Sequence, residues 1–141
     1  MLRLLPMTPS GFHAAVELIF SERHWPYAVS PATLTGSWAD FVNQCKRGYP
    51  DNIYEYYNDI RVREWIEIVL ARTDLAVFDE HRQFREVVAE IDAEFQGLLQ
   101  TAYAVPRKNF WWERGVLSFA GSELALDFVR DYGISIAIKD K

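Results

Sequence analysis

Among its 141 residues the chain has one cysteine, three histidines and seven glycines. A lone Cys45 excludes an internal disulfide. In the helical-looking WADFVNQCK it reads as a small buried hydrophobe, since no activating base or cation stands beside it in sequence. His13, His24 and His81 fall on three different predicted elements. None has a second ligand at zinc-site spacing, so no metal or other cofactor is expected. The glycines are scattered, which excludes a phosphate-cradling glycine-rich loop, and neither GSW nor GSE completes the nucleophile elbow GxSxG. No run approaches the roughly 20 apolar residues of a membrane span. The apolar N-terminus is broken by Pro6 and Pro9 and lacks a continuous hydrophobic stretch, so no signal peptide is read and a cytoplasmic location is expected. Repeats, low-complexity tracts and flexible linkers are absent too.

What is present is core-forming material. Half of the residues are hydrophobic and 15% are aromatic. The length fits one domain of roughly 100–150 residues, so residues 1–141 are expected to form a single globular unit without disulfides or a structural metal. Charge is uneven. Residues 51–100 hold five basic and twelve acidic side chains, whereas residues 1–50 and 101–141 each carry a balance of +1. Neutralising phosphates needs Lys and Arg, so nucleic acid is disfavoured as a partner; a basic protein is the electrostatic complement.

Periodicity predicts a mainly α fold of five to six helices with a small β-sheet from the chain ends. MLRLLPM reads as a short strand. A helix follows, capped at Thr8 or Ser10, with Phe12, Val16, Ile19 and Phe20 on one face, and Pro26 ends it. Ser30–Pro31 is compatible with a capped turn, but Thr35 or Ser37 is the firmer start for a helix burying Trp38, Phe41, Val42 and Cys45 and stopping at Gly48. From Asp51 onward the apolar face switches sides, which predicts a helix over 51–57, a break at Asn58–Asp59 and a second helix over about 60–72. A stripe from Val77 through His81, Phe84, Val88, Ile91 and Phe95 to Leu98, Leu99 and Ala102 predicts a long helix, capped at Thr73 or Asp74 and closed by Pro106. AVPRKNFWWERGVLSF reads as an extended loop into a strand, GSELALDFVRDYG as a final helix capped by Ser122, and ISIAIKDK as a strand.

The candidate site lies in GYPDNIYEYYND, where tyrosines alternate with carboxylates. Tyrosine brings a large contact area at a low ordering cost, and carboxylates steer a basic partner. The predicted partner-binding residues are Tyr49, Asp51, Tyr54, Glu55, Tyr56 and Asp59, extended by Glu86 and Glu90 on the long helix and by Trp112 of the FWWERG segment. Tyr57 and Ile60 are assigned to the core, with Asp59 pairing Arg63 one turn on, and either Tyr54 or Tyr56 is expected to stay exposed. Two adjacent tryptophans in an extended segment point to opposite sides, so one is expected inside and one outside.

Within W38-ADFV-NQCKR-GY-PDNIY-EYY-ND-I-RV-R63 the order Trp, Gly-Tyr, Glu-Tyr-x-Asn-Asp, Arg resembles a pattern in small uncharacterised bacterial proteins, over about a fifth of the chain. In chemistry, Tyr56–Tyr57 with Glu55 and Asp59 is also similar to immunity proteins of bacterial nuclease toxins, some of which cap a basic toxin with a Tyr-Tyr pair beside acidic helix residues. That similarity implies a binding protein with a toxin as partner. Two other readings stand beside it: a non-catalytic subunit or adaptor acting through an aromatic homodimer or operon-partner interface, and an enzyme with a polar pocket near His81 or His24.

Overall fold

The computed structural model describes residues 11–23 and 29–140. The expected N-terminal strand, the Thr8 and Ser10 caps, His24 and Pro26 lie outside these residues. Six α-helices of two turns or more dominate: α1 (Gly11–Glu22), α2 (Pro31–Lys46), α3 (Ile53–Ile60), α4 (Val62–Ala71), α5 (Asp79–Gln96) and α7 (Ser122–Tyr132). A single helical turn, α6 (Trp111–Arg114), precedes the last of them, and a 3-10 turn (Thr73–Val77) leads into α5. The β part is minor: β1 (Leu99–Gln100) pairs antiparallel with β2 (Val116–Leu117), and β3 (Phe119–Ala120) pairs in parallel with β4 (Ala137–Ile138).

Local chemistry accounts for most boundaries. Phe12, Val16, Ile19 and Phe20 form the buried face of α1, and Trp38, Phe41, Val42 and Cys45 that of α2. Helix α2 begins at Pro31, four residues before Thr35. Ser30 and Thr33 form a reciprocal capping box and Pro31 takes the first helical position, where its missing N–H costs nothing. Gly48 follows the helix at φ +94°, with the carbonyl of Lys139 so close that a Cβ would overlap it; only glycine admits both the turn and this passing strand.

The break after α3 falls at Arg61, beyond Asn58–Asp59, which stay helical. Asn52 caps α3 by accepting from Glu55 N, and Asp127 of α7 accepts from Ile53 N at 3.0 Å, so two first-turn amides are satisfied from two directions. Helix α5 is shorter than its apolar stripe. Residues 73–77 wind as a 3-10 turn that leaves Val77 81% exposed, and Leu98 N bonds Phe95 O before the chain enters β1. In FWWERG the four residues Trp111–Arg114 form a helical turn rather than an extended segment, with Phe110 extended before them.

The buried side chains of all these helices make one hydrophobic cluster. At its edge sits a buried charge. Arg63, only 4% exposed, donates to both oxygens of Asp92 at 2.8 Å and to Glu67 at 2.9 Å, while Trp38 Nε1 donates to Asp92 at 3.0 Å. The guanidinium also lies 4.5 Å from the Trp112 ring centre, and Phe110 stacks on that ring at 4.6 Å between centroids. Burial acts to lower the Arg63 pKa, but the bonds to Asp92 and Glu67 outweigh it and hold the group above its ordinary value. Arg63 is thus bound across the fold, and the expected Asp59–Arg63 pair does not form.

Candidate partner-binding surface

Helix α3 divides the tyrosines by angle. At about 100° per residue, Ile53, Tyr56 and Ile60 fall inward, while Tyr54, Glu55, Asn58 and Asp59 face out. Tyr54 is 75% exposed. Tyr56 is completely buried, its ring edge-on to Tyr49 and Tyr57 and tilted against Phe41. Tyr49 is buried as well, with its hydroxyl donating to Asp59 Oδ2 at 2.6 Å. Tyr57 is half-buried, and the Lys108 ammonium lies over its ring at 4.1 Å. Trp112 is buried and Trp111 only partly, so FWWERG does split its tryptophans, but the buried one is Trp112. Tyr49, Tyr56 and Trp112 therefore offer no surface to a partner of the folded chain: Tyr56 is turned inward by the winding of α3, Tyr49 from the loop before it and Trp112 from the single turn α6.

Burial also sets the chemistry of these inner groups. It pushes the Tyr49 and Tyr56 phenols well above their ordinary range, and Asp59 raises Tyr49 further by accepting its proton in a hydrogen bond. The Cys45 thiol is driven up by burial and then by the Asp59 charge, which suits a packed side chain and not a nucleophile. His81 is buried, with Nε2 3.0 Å from Val69 O and its ring edge-on to Phe12.

What remains outside is acidic. Asp51, in the bend just before α3, and Glu55 and Asp59 on its outer side follow one another at four-residue steps, all exposed. Across from Asp59, α2 contributes Ser37, Asp40, Phe41 and Gln44 to a cleft of about 230 Å³. Among the described residues, no lysine, arginine or histidine makes an ion pair with Asp40, Asp51, Glu55 or Asp59. Asp40 was missed by sequence reasoning because it sits on α2, 19 positions from Asp59, and only packing brings the two to one cleft. Glu86 and Glu90 are exposed on α5, but Arg82 engages Glu86 at 2.8 Å, and the main neighbours of α5 are α2 and the 3-10 turn.

On the other side of Tyr54 lies α7. Arg130 pairs with Asp127 and Asp131, and Asp127 in turn accepts from Ile53 N beside Tyr54. One turn before Arg130, Leu126 is 64% exposed, and Val129 is 50% exposed. A second concavity, about 300 Å³, lies between α1, α2 and α5 and is lined by Phe12, His13, Pro31, Thr35, Glu80 and Phe84 among others. Among the described residues no group of three or more His, Cys, Asp or Glu is placed to hold a metal ion, and no helix is long and apolar enough to cross a membrane. No protein-family model matches the chain, no curated protein matches it, and no solved structure matches it.

Proposed function

We propose that the protein is a cytoplasmic protein-binding module that recognises a basic partner and neutralises it by occlusion, in the manner of the immunity proteins its tyrosine–acid segment resembles. The observation that carries this reading is the uncompensated row Asp51, Glu55 and Asp59, faced by Asp40, in a chain whose other carboxylates are often ion-paired. Glu55 and Asp59 stand at i and i+4, a spacing at which like charges cost about 0.2–0.5 kcal/mol. A cationic partner would relieve that repulsion and would be steered toward the row. Tyr54, exposed beside the row, supplies contact area.

The test is co-expression with the products of neighbouring reading frames, purification of any complex, and affinity measurement across a salt series. A basic partner should bind with an affinity that falls as salt rises, and Asp51→Asn with Glu55→Gln and Asp59→Asn should slow association by about tenfold or more. An inhibited activity of that partner would make the neutralising role specific. Binding that is indifferent to salt and to the triple substitution would sink the reading.

A further inference from the structure

Helix α7 breaks the amphipathic rule on its outer side. Its inner face buries Leu124, Ala125 and Phe128, as a packed helix should, yet Leu126 and Val129 project into solvent. Single exposed aliphatics need no explanation. These two bracket Asp127, whose carboxylate holds the backbone N–H of Ile53 next to Tyr54, so three large apolar side chains from two helices stand exposed where α3 and α7 meet. The surface is also held firmly. Asp127 ties the first turn of α3 through Ile53 N, and Tyr56 and Tyr57 pack their rings against Phe128 underneath. Arg130, the cation on α7, is already engaged by Asp127 and Asp131. Around it Asp51, Glu55 and Glu123 are exposed and, among the described residues, without an ion-paired cation.

We infer that this outer α3–α7 face is a docking site for an amphipathic segment of a partner protein, with aliphatic residues on one side and Lys or Arg along its flanks. The occupant follows from complementarity. An aliphatic side covers Tyr54, Leu126 and Val129, and flanking cations meet Asp51, Glu55 and Glu123. A purely polar basic segment would leave the apolar centre wet, and a purely apolar one would desolvate the carboxylates without a partner. The inference rests on the binding-module reading and deepens it, moving the anchor from the tyrosine-rich segment to the junction of two helices.

Two synthetic peptides of equal length and charge test it. One is a helix-forming Lys–Leu repeat with leucine on one side; in the other, glutamine replaces each leucine. Titrated into isotopically labelled protein, the Lys–Leu peptide should shift the amide resonances of residues 51–55 and 123–130. It should bind about tenfold or more tighter than the Lys–Gln peptide. Leu126→Asp with Val129→Asp should abolish that preference while leaving the circular dichroism spectrum unchanged, since both positions are exposed. Equal binding of the two peptides, or shifts centred on α5 or on the Trp111 turn, would overturn the docking site. So would sedimentation showing a dimer of the protein alone that Leu126→Asp disperses, because the face would then belong to a second copy. If a natural basic partner binds with salt dependence but ignores both aspartate substitutions, only this inference falls; if no basic partner binds at all, the module reading falls with it.

Discussion

Helices α3 and α5 both present carboxylates to solvent, yet the chain treats them differently. On α5, Arg82 spans Asp79 and Glu86, Lys46 reaches Glu94 from α2, and Arg63 grips Asp92 from α4. On α3, Glu55 has no ion-paired cation among the described residues, and Asp59 is held only by the neutral Tyr49 phenol. Acidic charge on α5 is largely ion-paired, within the helix through Arg82 and to α2 and α4 through Glu94 and Asp92. The charge on α3 is left facing outward, and that contrast separates a structural acid from a candidate recognition acid where composition alone does not.

The contrast breaks most severely at its strongest structural member. Arg63→Met should cost about 3–5 kcal/mol, because Asp92 would keep its charge with only Trp38 Nε1 to satisfy it in a half-buried site. Adding Asp92→Leu should recover much of that loss, since the uncompensated charge goes with it. Arg82→Ala, which opens two exposed pairs on the same helix, should cost no more than about 1 kcal/mol. Urea denaturation of the three variants decides the matter; an Arg63→Met cost as small as that of Arg82→Ala would remove the distinction between buried and exposed acids.

A finer comparison lies within the tyrosines. Tyr49→Phe deletes a phenol–carboxylate bond and should cost about 1.5–2 kcal/mol, whereas the Tyr56 hydroxyl is buried with no partner, so Tyr56→Phe should be neutral or stabilising by up to about 1 kcal/mol. The same groups set an alkaline limit. Tyr49, Tyr56 and Cys45 have raised folded-state pKa values, so the native chain keeps protons that the unfolded chain releases. Their contribution is complete below about pH 7.5 and drains away as pH rises past the unfolded values, about 8.5 for the thiol and 10 for the phenols, toward the raised folded ones. Urea midpoints between pH 7 and 11 should fall, by up to about 1.4 kcal/mol per pH unit for each fully ionising group. Each Tyr→Phe variant should flatten the fall, and a level profile to pH 11 would contradict the buried assignment.

The sequence made the helical class legible because apolar spacing is a local signal, and the inner faces of α1 and α2 followed from it directly. It misplaced features decided by distant groups. The stripe of α5 continued through Val77 and Leu98–Ala102 by periodicity, but the chain leaves the helix where β2 offers Leu99 and Gln100 partners 16 to 18 positions away. Trp112 turned inward because Arg63 waits above its ring, a contact no window of local sequence contains. At the candidate surface, an exposed tyrosine beside the acids was readable, but the sequence left Tyr54 and Tyr56 as alternatives, and the packing of Tyr56 against Tyr49, Phe41 and Phe128 decides for Tyr54. Asp127, which fixes the start of α3, and the Leu126–Val129 pair were not readable, because α7 contacts α3 only through the tertiary fold.

The smallest expected effect gives the sharpest separation of the two helices. Glu55→Gln removes a charge near the N-terminus of α3, where the helix dipole favours it by about 0.3–1 kcal/mol. The same substitution relieves repulsion with Asp59 one turn away and with the neighbouring Asp51, each about 0.2–0.5 kcal/mol. These terms oppose, so stability should move by less than about 0.5 kcal/mol in either direction. Glu86→Gln instead loses only the Arg82 pair and should cost about 0.3–0.5 kcal/mol. Binding should reverse the order: association with a basic partner should weaken with Glu55→Gln and hold with Glu86→Gln. Equal losses of association in both variants would mean that the partner senses net charge alone, and α3 would have no more claim to recognition than α5.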